Sequence, residues 1–111
     1  MIAINDMRYE MNRLMSFDNT FPHGFMICEL SKYGFFYTGF SDHVKCAFCT
    51  VIIFNWEPAD KPLTEHRKHA PSCPFLRGEP VGNVPFSVYQ PIYQVVSNLT
   101  SNNHPGYDET D

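Results

Sequence analysis

Four soft ligands at fixed spacing constrain this 111-residue chain more than any other feature: Cys46 and Cys49 stand with two residues between them, and a histidine and Cys73 follow. A Cys-x-x-Cys pair makes a tight chelating turn, and a later His and Cys complete a Cys3His set. Such sets close tetrahedrally around one zinc ion and serve structure, because a catalytic zinc keeps a position for water. Spacing alone leaves the histidine open. His69 gives a His-x3-Cys ending and His66 a His-x6-Cys ending, and residues three apart on a helix approach the same region.

A chain this short buries a core that is marginal by itself, so a metal staple suits it. Hydrophobic residues at 43% and charged residues at 18% place it among globular proteins. The longest aliphatic or aromatic run is Val51 to Phe54, far short of the ~20 apolar residues of a membrane helix. The opening Met1-Ile2-Ala3-Ile4-Asn5-Asp6 lacks the basic flank and apolar core of a secretory signal. A reduced, cytoplasmic setting is therefore expected, with the cysteines on metal instead of in disulfides. Residues 1–78 carry eight Lys or Arg against eight acids, and the net charge of −4 sits in the remainder with Glu79, Asp108, Glu109 and Asp111. No basic stripe is present, which argues against a nucleic-acid finger.

In chain order, Ile4, Met7, Met11, Leu14 and Met15 share one face at a helical period and predict a first helix over 4–17. Phe21-Pro22 ends it. A second helix is expected from His23 to Tyr33, closed by Gly34 as a left-handed cap. Phe35–Thr38, Val44–Cys46 and Val51–Phe54 predict three short antiparallel strands, with Ser41-Asp42-His43 as a turn. Asp60, Lys61 and Pro62 then start a helix that runs to Ala70 and stops before Pro71, and one more turn is expected over Cys73–Leu76. The expected class is α+β, with helices around a three-stranded antiparallel sheet. Val88–Val96 reads as helix or extended chain, and Ser97–Asp111 as a mobile acidic end. Cys28 is expected as a small buried hydrophobe; His23, His43 and His104 are expected in solvent.

Together these residues resemble a BIR domain of the inhibitor-of-apoptosis proteins. The likeness is carried by Gly34–Gly39, Cys46-Ala47-Phe48-Cys49, Trp56-Glu57-Pro58, Asp60, Pro62, Glu65-His66, Pro71 and Cys73-Pro74-Phe75. Arg13, Ser16-Phe17 and Phe21-Pro22 match the family's opening motif. The resemblance covers about residues 10–78, leaving 1–9 as an extension and 79–111 as a tail, and is nearest to the first BIR domains of insect and baculovirus members. It implies that His66 is the zinc ligand and that His69 faces a peptide groove.

By the same resemblance, the groove takes the free N-terminus of an Ala-initiated partner, as in pro-apoptotic antagonists and some processed caspases. Asp60 and Glu65 would hold the partner's ammonium, Trp56 would wall the pocket for the Ala methyl, and His69 would pack on the third residue. Ile53 and Phe54 would pair backbone to backbone with the peptide as an added strand. The sequence departs from the family pattern at Ile52, Phe54 and Lys61. A second expectation is therefore a scaffold with a silent groove that recruits a protein through its helices. Catalysis is not expected, since a thiolate committed to zinc is unavailable as a nucleophile. Asp108-Glu109-Thr110-Asp111 has the form of a caspase cleavage site, and Val88–Val96 could fold over the groove.

Overall fold

The computed structural model describes residues 5–86; Ile4, the Val88–Val96 segment, His104 and the acidic end lie outside the described residues. The order is α1 (Glu10–Met15), a 3-10 turn (Gly24–Met26), α2 (Ile27–Lys32), β1 (Phe35–Tyr37), β2 (Val44–Cys46), β3 (Ile52–Ile53) and α3 (Pro62–His69). The three strands form an antiparallel meander in the order β1-β2-β3, so the α+β expectation holds. Phe35 stands opposite Cys46, Tyr37 opposite Val44, and Val44 opposite Ile53. With a side-chain period of two, that register turns Phe35, Tyr37, Val44, Cys46 and Ile53 inward, and all five are buried. Among the described residues no helix is long and apolar enough to cross a membrane.

β3 keeps only the middle of its apolar run, and left-handed residues bound that run on both sides. Thr50 (φ 67°) and Asn55 (φ 62°) turn the chain just outside Ile52–Ile53. Gly34 closes α2 at φ 99°, as expected, and a Cβ there would lie 3.1 Å from the Phe75 ring. Glycine is needed for the conformation and for the close approach. The expected turn after Cys73 is also present, with the Arg77 N–H donating to the Cys73 carbonyl.

The first helix departs from its expected face and length. Its buried residues are Glu10 and Arg13, and Met15 is 73% exposed. The helix starts only at Glu10, because Tyr9 forms a parallel bridge with Val84: the Val84 N–H donates to the Arg8 carbonyl and the Glu10 N–H to the Val84 carbonyl. Arg13 turns inward because backbone acceptors surround it. Its Nε donates to the Ser31 carbonyl at 2.8 Å, Nη1 to the Met7 and Arg8 carbonyls at 2.9 and 3.0 Å, and Nη2 to Asn83 Oδ1 at 2.9 Å. The guanidinium also lies 5.4 Å from the Phe48 ring centroid, next to the Cys46–Cys49 turn. One buried fork thus ties both ends of the described chain to α2.

Ser16 links the helix end to the sheet: its Oγ donates to the Arg13 carbonyl and accepts from the Tyr37 N–H. Behind it, Phe17 stacks on Tyr37 and Phe21 meets both rings edge-on, filling the core between α1 and β1. Two expectations about single residues fail. Cys28 is exposed, since Leu30 and Ser31 supply the buried face of α2. His23 and His43 are half-buried instead of solvated: His23 lies between Phe21, Phe25 and Asp42, and His43 stacks on Phe54.

Candidate functional site

The knuckle between β2 and β3 and the inner face of α3 converge on one point. Cys46 ends β2, and the Phe48 and Cys49 N–H groups donate to its Sγ at 3.3 and 3.4 Å, folding the chain into a chelating turn. Pro62 opens α3, and the two buried positions of that helix are Pro62 and His66, one turn apart. His66 is therefore driven inward onto Phe35, whose ring is 4.4 Å away, whereas His69 is half exposed. Cys73 arrives from the loop after α3 and is 1% exposed.

The ligand atoms of Cys46, Cys49, His66 and Cys73 all lie within 4.8 Å of one another. Cys46 Sγ is 3.9 Å from Cys73 Sγ, and Cys49 Sγ is 3.7 Å from His66 Nε2. A regular tetrahedron with Zn–S of ~2.3 Å and Zn–N of ~2.0–2.1 Å has edges of about 3.8 and 3.6 Å. The set therefore fits a four-coordinate zinc and can hold such a metal. His66 Nδ1 is 3.0 Å from the Tyr33 carbonyl, which can only accept, so Nδ1 carries the proton and Nε2 faces the ligand cluster.

Burial pushes the Cys46 thiol up to about 12, against the pull of the Cys49 and Phe48 N–H groups, and burial likewise raises Cys49. Burial holds His66 below the usual imidazole range, with the Tyr33 carbonyl acting in the opposite direction. The imidazole is thus poised neutral, as a ligand requires, while the thiolates call for a bound cation.

The residues expected to line the groove are distributed along β3, the following loop and α3. Ile53 is buried and Phe54 is 50% exposed, and among the described residues β3 pairs only with β2, which leaves its outer edge without a strand neighbour there. Trp56 is 5% exposed and meets Phe35 edge-on at 6.2 Å, so a ligand meets only the small exposed part of a ring whose body belongs to the core. Among the described residues, its Nε1 is the one buried side-chain polar atom without a hydrogen-bond partner.

Asp60 Oδ2 accepts the Glu57 N–H at 2.9 Å and closes the turn before α3. Glu65, in the first turn of α3, has Oε1 3.6 Å from His69 Nε2 and Oε2 3.7 Å from Lys68 Nζ. The structure therefore brings Glu65 and His69 together and gives each carboxylate an internal partner. A hollow of about 340 Å³ lies elsewhere, between residues 5–8 and Phe36, Lys45 and Thr50, and shares only Cys46 with the ligand set.

Sequence reasoning missed Asp42. It was placed in a turn, but its carboxylate reaches across the sheet: Oδ1 accepts the Asn55 N–H at 3.0 Å and Oδ2 the Trp56 N–H at 2.8 Å. His23 Nε2 lies 3.4 Å from the same Oδ2. Contacts spanning 13 and 14 residues leave no periodic trace, and an Asp in a Ser-Asp-His turn reads only as a local turn former.

Comparison with known proteins places this geometry. The family model described as "Inhibitor of Apoptosis domain", BIR, matches residues 13–77, more than half of the chain and all four ligands. The chain belongs to the BIR family. Among solved relatives of this BIR domain, the DIAP1 BIR1 domain bound to a Grim peptide aligns with a TM-score of 0.70 and 31% identity, covering 91% of this chain and 99% of that one. Autoinhibited dIAP1-BIR1 aligns with a TM-score of 0.67 and 38% identity, covering 71% and 83%.

In sequence, the BIR domain is 43% identical over 76 residues to the apoptosis inhibitor IAP of Cydia pomonella granulosis virus, covering 68% of this chain and 27% of that protein. It is 55% identical over 56 residues to the E3 ubiquitin-protein ligase XIAP of Xenopus tropicalis, covering 50% and 11%. The expected likeness to insect and baculovirus members holds. Because the BIR chain spans only 11% and 27% of these two curated relatives, their whole-protein activities are not carried over to it.

Proposed function

We propose that this BIR domain is an anti-apoptotic interaction module, stapled by one structural zinc on Cys46, Cys49, His66 and Cys73, that captures the free N-terminus of Ala-initiated antagonist peptides or processed caspases. The observation that carries the reading is the structural likeness to DIAP1 BIR1 bound to a Grim peptide. Supporting it, among the described residues no strand covers the outer edge of β3, and Asp60 and Glu65 flank the start of α3. Cys46, Cys49, His66 and Cys73 would hold the zinc as a structural staple, fastening the β2–β3 knuckle to α3 and so fixing the distance between the strand edge and the two carboxylates.

On this reading an incoming ammonium displaces Lys68 and His69 from Glu65 and forms charge-assisted hydrogen bonds with it and with Asp60. Titration of a labelled Ala-initiated peptide against the wild type, Asp60→Ala and Glu65→Ala tests it. Each substitution is expected to weaken binding about tenfold or more, the worth of one hydrogen bond to a charged group. Equal affinity in all three proteins contradicts the reading.

One observation favours the silent-groove alternative: Trp56 is buried while Met15 and Phe25 on the helical side are 73% and 69% exposed. Partner binding abolished by Met15→Glu or Phe25→Glu, but indifferent to Asp60→Ala, supports that alternative.

A further inference from the structure

We infer that Asp42 is a positioning residue for the groove: its carboxylate fastens the left-handed turn at Asn55 and thereby sets the place of Trp56. The inference rests on the groove reading above and adds to it a residue outside the groove.

Three features single out this contact. First, Asp42 is 7% exposed and each of its oxygens serves a different one of two consecutive N–H groups, Asn55 at 3.0 Å and Trp56 at 2.8 Å. A carboxylate that bridges successive amides fixes the peptide plane between them as well as the position of the chain. Second, the fixed residue is strained. Asn55 has φ 62°, a left-handed conformation that costs a non-glycine residue even though Asn tolerates it better than most, and the two bonds from Asp42 hold it there. Third, the turn lies at the hinge of the site: one residue before it is Phe54, which directly follows β3, and one after it is Trp56.

The rest of Trp56 is weakly held by polar contacts. Its ring packs on Phe35, and among the described residues its Nε1 has no hydrogen-bond partner. The backbone N–H to Asp42 is thus the directional bond that orients the residue. Behind the carboxylate, His23 Nε2 at 3.4 Å completes the cradle, with Phe21 and Phe25 flanking that imidazole edge-on. Burial opposes the charge on Asp42, yet the Asn55 and Trp56 N–H groups and His23 outweigh it and hold the carboxyl below the usual carboxylate range.

Trp56 is the only tryptophan, so the single indole signal in a spectrum reports on it alone. The test uses the full 111-residue chain loaded with zinc, as wild type, Asp42→Asn and Asp42→Ala, followed by residue-resolved amide exchange and by titration with an Ala-initiated peptide. Asn keeps one acceptor oxygen and the overall shape, so it guards against a variant that fails to fold.

Asp42→Asn is expected to retain its metal and the protection of Cys46 and Val44 amides. Its Asn55 and Trp56 amides are expected to exchange about tenfold faster, the Trp56 indole signal to move, and peptide affinity to fall about tenfold. Asp42→Ala is expected to show the same pattern, larger. Unchanged exchange at Asn55 and Trp56, equal acceleration at every strand, or unaltered peptide affinity in Asp42→Asn overturns the inference. A wild type that binds no peptide refutes the groove reading instead, while the exchange and indole signals still decide whether Asp42 sets Trp56.

Discussion

Removing the metal from the zinc-loaded domain with a strong chelator is expected to abolish its cooperative thermal transition and collapse its dispersed amide spectrum. A core of this size supplies on the order of 3–5 kcal/mol, whereas a structural zinc contributes roughly 10–16 kcal/mol of apparent binding free energy at neutral pH. Here the four ligands come from β2, the knuckle, α3 and the loop beyond it, so a bound zinc would tie these separate segments to one point. His66→Ala is expected to reproduce the effect, because it removes one ligand and the bond from Nδ1 to the Tyr33 carbonyl. His66→Cys restores a closed four-ligand set and is expected to retain the metal. Native mass spectrometry with thermal melts checks both; a chelated protein that still melts cooperatively near the original midpoint contradicts the staple.

Acid should act in the same direction. Burial lowers His66 in the fold, so the imidazole is neutral when native and charged when unfolded. The stability tied to that ring is present above the unfolded value of ~6.5 and is lost as pH falls below it. Protonation of the thiolates adds to the loss.

Arg13→Met is expected to cost about 3–5 kcal/mol, enough to threaten a domain of ordinary stability. Arg13 is fully buried, and truncating its fork removes its donors from the Met7 carbonyl and Asn83 Oδ1 and the second donor from the Ser31 and Arg8 carbonyls, which keep the Gly34 and Val84 N–H groups. Arg13→Lys should rescue little, since an ammonium cannot reach the α2 carbonyl and the Asn83 side chain in one planar fork. Melting in excess zinc, so that metal loss is not limiting, is expected to show a drop on the order of 15–30 °C. A drop of a few degrees contradicts the role assigned to this residue.

These two sites were unequally legible in the sequence. Cys46, Cys49 and Cys73 announced themselves because chelation imposes a short covalent spacing. The choice of His66 over His69 was beyond spacing and came from family resemblance; in the fold, Pro62 and His66 share the buried side of α3. The strands were readable from aromatic and β-branched residues beside turn signals, and the left-handed Thr50 and Asn55 stand just outside the Val51–Phe54 run that holds β3. For the first helix, apolar periodicity pointed to Met15, but acceptors brought from α2 and residue 83 turned Arg13 inward. Asp42 was illegible for the same reason: a side chain that serves backbone groups across a sheet has no signature in its own neighbourhood.

The claim at the centre is that the groove reads a free amino terminus with the carboxylates at the start of α3. Calorimetric titration of the zinc-loaded domain with two peptides, identical except that one begins with free Ala and the other with N-acetyl-Ala, addresses it most directly. Acetylation removes the charge while keeping the side chains and the strand-forming backbone, and is expected to weaken binding at least about 100-fold. Equal affinity for the two peptides would contradict it.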